Sequence, residues 1–588
     1  MFLITTADQR YWGDDKKVLF LGDWCQLYSK KSDWEKLDYQ ILPYHWDDRS
    51  ELYKDYILLD KLYEKKLEEL SIWLNKIHGV NYEIRYWRII IGRWLFQFIQ
   101  ILYDRYKSLD NAYNTGEINN TYIGVYDKNY VLPKDTVQFH SLCYTDLYNH
   151  YLYSKIISSL NKIPYEEKKV NMENIKIFMK NNERNKISHK KTLYTIIVRL
   201  IPNIFKKSVL LMDKNILSSF NQALLQFSTF QFPILAFNNK INTDFKINWS
   251  IRNTFIKKRS NNEFINLLNE FICEQIPLIF IEGYEQLFTN TLKLYPKKPK
   301  FILSENAYYF NESFKIWVAS MAEKGTKIAV FQHGGHYGSG LFSSFEDHEV
   351  RISDIYYSWG WSNKNNKKII SIPPIHIGKQ SKKINYKRNG NILLTLLTVP
   401  RYFYAIYSIA IGANSLNKYY DNQFEFVKYL SNRNKDRLLI RLHKNDFEWS
   451  QKERWLDKFP SINYEEGLIP FIDQLNKSRL FVGTYNATTY LQTFAANFPT
   501  ILFWDPKYWE IKESAKPFFK NLVDVGILHY SPDSAAEKIN EIGMDPGKWW
   551  FDNHTQKAKN IFCNEYVKTS DTWFTEWRNI LLNNGVKG

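Results

Sequence analysis

Lys300-Phe-Ile-Leu303, then Glu312-Ser-Phe-Lys-Ile-Trp-Val-Ala-Ser-Met-Ala-Glu-Lys324 closed by Gly325, then Thr326-Lys-Ile-Ala-Val-Phe-Gln332: these three runs decide the fold. The outer two are short and apolar, which predicts buried strands. In the middle run apolar residues recur at three- and four-residue spacing and a glycine ends it, which predicts an amphipathic helix. Strand, helix and strand in this rhythm form a βαβ unit, and hence a parallel sheet with helices on its faces.

The rhythm continues outward. Asp354–Ser358 and Ile375–Gly378 read as further strands. Lys379–Asn391 is polar and basic, a linker composition. A second series follows, with strands at Ile392–Val399, Asp436–Leu442, Arg479–Gly483 and Thr500–Trp504 and a helix at Thr488–Ala496. Two such halves predict an α/β protein of two facing doubly wound domains, with ligand in the cleft at the strand C-termini. Toward the N-terminus, Phe2–Thr6 and Lys17–Gly22 read as strands and Leu52–Ile77 as an amphipathic helix. Tyr86–Tyr106 is apolar almost all round and reads as a buried helix. Tyr165–Asn262 is rich in Lys, Asn and Ile with few turn signals. Within it, Leu193–Lys207 mixes apolar residues with cations and fits either a membrane-surface segment or a core helix flanked by lysines. The expected organisation is a Rossmann-like domain over 1–380 with a largely helical insertion at about 150–265, a second over 390–565, and a C-terminal helix over 566–588.

A chain of 588 residues exceeds one ordinary core, and 44% hydrophobic with 24% charged residues excludes a disordered one. Cys25, Cys143, Cys273 and Cys563 are scattered without a CxxC pair, which argues against a zinc site or disulfide framework and for a reducing cytosol. Met1–Thr6 reads as a first strand and not as a signal peptide, and no apolar run is long enough to span a membrane. The net charge of +17 implies anionic company. Without a helix-turn-helix, zinc-finger or RNP signature, nucleic acid is not the expected partner; phosphorylated substrates or anionic lipid are. Aromatics at 17% fit either core filling or flat platforms for sugars.

Candidate chemistry sits at the strand ends. Arg479-Leu-Phe-Val-Gly-Thr-Tyr-Asn-Ala-Thr-Thr-Tyr490 runs from a strand into a helix whose start is surrounded by Thr484, Asn486, Thr488 and Thr489. Such a start suits a phosphate, or is simply a threonine-capped helix. Leu438-Leu-Ile-Arg-Leu-His-Lys444 ends a second strand with Arg441, His443 and Lys444. Alternation places Arg441 and His443 on one face, and together with Thr484 they would form a phosphate clamp. Ala329-Val-Phe-Gln-His-Gly-Gly-His-Tyr-Gly338 ends a third strand with Gln332 and His333 projecting into the cleft, and its glycines, Gly334 among them, allow close approach to a ligand. It is neither a dinucleotide fingerprint nor a P-loop. A carboxylate base would come from Glu282, Glu305 or Glu349, each of which could equally be a solvated surface acid. His348 beside Glu349 imitates a metal site, but no metal-binding spacing supports it, so no metal and no cofactor are expected.

Phe331-Gln-His-Gly-Gly-His-Tyr-Gly338 followed by Asp354-Ile-Tyr-Tyr-Ser-Trp-Gly-Trp361 resembles the transferases encoded in bacterial surface-polysaccharide loci. Phe2–Thr6, Leu19–Cys25, Leu42–Arg49, Val80–Gly92 and Arg441–Lys444 resemble the same group, so the likeness covers most of the chain except about 150–260. At Glu305 that group varies, which weakens this carboxylate as a catalyst. The resemblance implies a GT-B glycosyltransferase related to enzymes that use CMP-activated acidic sugars, such as Kdo, pseudaminic or legionaminic acid. It further implies a nucleotide sugar held by the C-terminal domain, a lipid-linked or oligosaccharide glycan acceptor held by the N-terminal domain, and transfer without a divalent metal. Cytoplasmic placement, with possible contact to the inner face of the membrane, goes with it. On this reading Gln332 and His333 reach the sugar or its carboxylate, and Glu282 or Glu349 is the base. A CDP-alditol phosphotransferase of teichoic-acid type and a non-catalytic membrane-surface scaffold remain alternatives.

Overall fold

The computed structural model describes residues 1–588 except 15–16, 182–197, 199, 215, 235–244, 256–259, 544 and 587–588. Three sheets follow one another along the chain, and every strand pairing in them is parallel. The first holds β1 (Phe2–Ile4), β2 (Lys17–Phe20), β3 (Asp38–Ile41), β4 (Asn120–Val125) and β5 (Glu166–Lys169), in the order β3-β2-β1-β4-β5. The second holds β6 (Ser208–Leu211), β7 (Phe301–Ser304), β8 (Lys327–Phe331), β9 (Ile355–Ser358) and β10 (Ile369–Ser371), in simple chain order. The third holds β11 (Asn391–Thr395), β12 (Leu438–Arg441), β13 (Tyr464–Glu465), β14 (Ser478–Gly483), β15 (Thr500–Phe503) and β16 (Leu528–His529). Its order β13-β12-β11-β14-β15-β16 reverses between β11 and β14, the doubly wound arrangement with its switch point there.

The α/β reading of parallel sheets holds, but the expected division is corrected. The 1–380 half contains two sheets, and the segment expected to be a helical insertion holds the last strand of one and the first of the other. Both are hard to see in the sequence for physical reasons. β5 is Glu-Glu-Lys-Lys, a largely exposed end strand with no apolar alternation, and β6 is a four-residue apolar run inside Lys- and Asn-rich sequence. Ile375–Gly378 is also corrected: it lies in the Ile375–Ser381 helix, and the strand is β10 instead. Pro373 and Pro374 precede that helix, and proline has no N–H to offer a strand ladder.

The apolar helix expected over Tyr86–Tyr106 runs from Ile84 to Asn114, and every residue from Ile89 to Leu102 is buried. It lies against the Arg49–His78 helix and the Glu312–Ala322 helix, which joins the first region to the second sheet. Full burial of its Ile, Trp, Leu and Phe side chains stabilises the fold by roughly 1.5–3 kcal/mol each. All four cysteines are free. Of the Leu193–Lys207 segment, residues 193–197 and 199 lie outside the described residues. Lys206 turns inward, its ammonium donating to the Val198 carbonyl at 2.9 Å.

Candidate active site

Parallel strands present all their C-terminal ends at one edge of a sheet, and a large cleft opens at that edge of the second sheet. Its volume is about 1210 Å3. Leu211 at the end of β6 and Met212 after it, Asn306 and Ala307 beyond β7, and His333 and His336 beyond β8 form its floor. Arg93 of the Ile84–Asn114 helix walls it together with His140 and Tyr144, and Tyr404 and Tyr407, from the stretch after β11, reach over from the third sheet. The cleft therefore draws residues from all three regions of the chain.

His333 is its central titratable group, with 28% of the side chain exposed. Its Nδ1 lies 2.9 Å from Oε1 of Glu349, which leaves Nε2 as the nitrogen free for the cleft. Glu349 sits on the Ser344–Ile352 helix and is fully buried. Its carboxylate accepts hydrogen bonds from the hydroxyls of Tyr309 at 2.5 Å, Tyr356 at 3.2 Å and Tyr337 at 3.3 Å. Burial opposes protonation of His333, but the Glu349 carboxylate outweighs it and raises the imidazole pKa above the ordinary histidine value. His140 and His336, on the same cleft, are pushed down to about 3 by burial, so they stay neutral. Of the three histidines that line the cleft, only His333 has its pKa raised and not lowered.

The turn that carries His333 is tied down on every side. Gln332 is not aimed at a ligand, contrary to expectation. Its Oε1 accepts from the Trp359 N–H at 3.0 Å and from Trp361 Nε1 at 2.8 Å, while its Nε2 donates to the Gly334 carbonyl at 2.8 Å. Gly334 lines the cleft, whereas Gly335 and Gly338 serve close packing. A Cβ on Gly335 would fall 2.4 Å from the Thr488 nitrogen, and one on Gly338, where φ is +78°, would fall 2.4 Å from the Trp361 ring. The Gly338 N–H donates to Glu346 at 2.8 Å, and Glu346 pairs with Lys512 of the third region at 2.8 Å.

Two strand tips singled out in the sequence therefore do meet: the His333–Gly335 turn abuts the start of the Thr488–Ala495 helix. The other expected meeting does not take place. Arg441 and Gly483 are both level with Thr395, one on each side of β11, so the tips of β12 and β14 stand two strand spacings apart, about 10 Å. Arg441 is paired with Glu465 at 2.7 Å, and the His443 ring turns back on its own loop, accepting from the Asn445 N–H at 3.2 Å. Lys444 is exposed. Thr484 is buried, donating to the Thr395 carbonyl at 2.8 Å and bonded to the Tyr419 hydroxyl at 2.5 Å. Asn486 accepts from the Tyr490 hydroxyl at 2.9 Å, and Thr489 is bonded to the Tyr485 hydroxyl at 2.8 Å. Thr488 opens the helix, and no side chain caps it.

Glu282 is corrected as a base. It forms a two-pronged ion pair with the buried Arg252, at 2.7 Å on each oxygen, and accepts from the Asn248 N–H at 3.0 Å. Glu305 follows β7 and is fully buried; burial pushes its pKa up to about 7, and Oε2 has no hydrogen-bond partner. It stands behind the cleft floor, near enough to His333 for their charges to interact. Arg93 was missed. The signal that could have found it is one cation in the middle of a helix that is apolar all round, Ile89-Ile-Ile-Gly-Arg-Trp-Leu-Phe96. Among the described residues no group of three metal-ligating side chains occurs.

Parallel sheets with a cleft at the strand tips of the second, and an imidazole–carboxylate pair opening into it, define an α/β protein of the ligand-binding kind. The chain belongs to the LIC12162 family of transferases, whose pattern matches residues 1–581. No curated protein matches it in sequence. Among solved structures it is similar to the crystal structure of WaaG, a glycosyltransferase involved in lipopolysaccharide biosynthesis, at 11% identity and a TM-score of 0.25. That likeness covers 55% of this chain and 85% of the WaaG chain, and an overlap so loose carries no weight for fold or activity.

Proposed function

We propose that this transferase moves an acidic sugar of the pseudaminic, legionaminic or Kdo type from a CMP-activated donor to a growing bacterial surface glycan, capsule or O-antigen. The observation that carries the reading is His333, held at Nδ1 by a buried carboxylate and open at Nε2 to a cleft large enough for a sugar and its acceptor. Nε2 takes the proton of the acceptor hydroxyl as its oxygen bonds to the anomeric carbon, and the bond from that carbon to the phosphate oxygen breaks to release CMP. Glu349 acts through the imidazole by orienting it and stabilising its charged form. On this reading Glu349 is a positioning residue, and His333 is the base.

The donor phosphate lies at the switch point between β11 and β14, where a doubly wound sheet takes its nucleotide. The N–H groups at the start of the Thr488–Ala495 helix, which no side chain caps, face it, and the exposed Lys444 supplies a cation from the far side. These groups neutralise the leaving phosphate without a divalent metal. A lipid-linked acceptor suits the surface beside the cleft. The Ser219–Phe227 helix turns Ser219, Gln222 and Gln226 toward the cleft and exposes Phe220, Leu224 and Phe227, with Phe230 just beyond. Among the described residues no helix is long and apolar enough to cross a membrane, so contact would be peripheral, on the cytoplasmic face.

The test supplies each donor separately with acceptor in anionic vesicles and follows CMP release. Turnover with a CMP-linked acidic sugar, unchanged by chelator and accompanied by vesicle flotation, supports the reading. Turnover only with CDP-glycerol or CDP-ribitol would replace it with phosphoalditol transfer. Flotation without any nucleotide binding would replace it with a scaffold role.

A further inference from the structure

Arg93 is 1% exposed, lines the cleft, and has no ion pair or hydrogen bond among the described residues. Its Nε and Nη1 are buried and unpartnered. The guanidinium lies over the Phe345 ring at 4.0 Å and beside the Tyr309 ring at 5.1 Å. Those ring contacts use none of its N–H groups as hydrogen-bond donors. The charges nearest to it do not neutralise it: His140 and His336 are neutral, and Glu349 is already shared by His333 and three tyrosine hydroxyls. A charge buried without a partner is costly to the folded state, and buried charges are ordinarily paired. A fold that keeps one on the wall of an open cleft has the form of a site that awaits an anion.

We infer that Arg93 is the receptor for an oxyanion of the substrate, a carboxylate or a phosphate, which its guanidinium grips edge-on through two of the oxygens. The planar fork fits two oxygens of one such group, whereas a lysine would offer only a point charge. The Tyr404 and Tyr407 hydroxyls, bonded to each other at 2.5 Å, line the same cleft and provide further donors. Tyr309 fixes the geometry relative to His333, its ring lying 5.1 Å from the guanidinium and 5.2 Å from the imidazole. Arg93 and His333 therefore pack on one tyrosine ring, which places the anion and the proton acceptor in the same part of the cleft. For an acidic sugar this sets the carboxylate, and for a nucleotide the phosphate, in a fixed relation to the reacting hydroxyl. The inference rests on the reading of this cleft as the transfer site, but its test does not require transfer.

Inorganic phosphate and pyruvate, a minimal 2-oxo carboxylate, are titrated into the full-length wild type, Arg93→Met and Arg93→Lys, with melting temperature as the readout. An anion that binds only the folded state raises its melting temperature. The expected result is a rise in the wild type, none in Arg93→Met, and at least tenfold weaker anion binding in Arg93→Lys. Without anions, Arg93→Met should melt no lower than the wild type, because it removes an unpaired buried charge. A response to pyruvate alone assigns a carboxylate, and a response to phosphate assigns a phosphate. No anion-dependent rise in the wild type, or a rise that persists in both variants, overturns the proposal. An Arg93-dependent rise without sugar-nucleotide turnover would retire glycosyl transfer and leave the receptor standing; turnover undisturbed by Arg93→Met would do the reverse.

Discussion

His333 stands between a carboxylate and open space, and that placement fixes how its charge answers pH. As a base it must be neutral, so activity should fall on the acid side as it protonates. The Glu349 carboxylate raises its pKa, so that limb should lie above the ordinary histidine value of about 6.5. Glu349→Gln removes the carboxylate and should shift the limb to lower pH while lowering the maximum rate; His333→Ala should cost about 10²–10⁴-fold at every pH. Stability answers with its own sign. A histidine with a raised folded pKa contributes stability that is complete below its unfolded pKa and is lost as pH rises through the folded one. Glu349→Gln should therefore lower the melting temperature more at about pH 6 than at about pH 9. A pH–rate profile whose acid limb stays in place in Glu349→Gln would remove Glu349 from this role.

At the scale of elements, the meeting of the β8 turn with the Thr488–Ala495 helix is the contact on which the site's shape depends. Gly335→Ala would drive a Cβ into the Thr488 nitrogen and the Ala487 carbonyl carbon, backbone atoms that cannot swing aside. The expected cost is about 1–3 kcal/mol in denaturant titration, with a loss of activity as the two tips are pushed apart. Gly378 is the control: it lies within the Ile375–Ser381 helix, a Cβ added there would meet nothing within 4 Å, and alanine should stabilise by up to about 1 kcal/mol. Much at this scale was legible in the sequence. The strands of the third sheet and of β7 to β9 are short apolar runs between turn residues, and burial on both faces of a parallel sheet produces that pattern. β5 was illegible because an exposed end strand needs no apolar face, and Ile375 misled because an apolar tip looks the same on a short helix. At the site, His333 and Glu349 were legible as types at a strand end and on the next helix, but their pairing was not. Which buried carboxylate meets the imidazole, and that Gln332 and Gly335 serve packing, depend on distances that no spacing encodes. Arg93 was hidden because a helix buried all round gives no sign of which face opens on a cavity.

The whole molecule is closed by its last helix. The chain leaves the third sheet and crosses back to the second, with the Lys568 N–H donating to the Trp359 carbonyl at 2.9 Å and the Glu565 carbonyl lying against Gly360. The Trp573–Leu581 helix then seats Trp577, fully buried, edge-on to Phe331 at a centroid distance of 5.0 Å, its indole N–H donating to the Pro373 carbonyl at 3.2 Å. Phe331 is the last residue of β8, two positions before His333, so the C-terminal helix supports from behind the strand whose tip carries the proton acceptor. Trp577→Ala removes the indole from a site that cannot collapse around its loss, which should cost about 3–5 kcal/mol. That should show as a lowered melting temperature. Trp577→Phe keeps an aromatic edge against Phe331 but forgoes the hydrogen bond, and should lose much less. Because the same strand positions His333, activity should fall with stability in Trp577→Ala even at temperatures where the protein is still folded. Parallel thermal melts and rate measurements check this: a Trp577→Ala protein that melts early but turns over normally when cold would mean that the last helix clamps the two regions together without shaping the site.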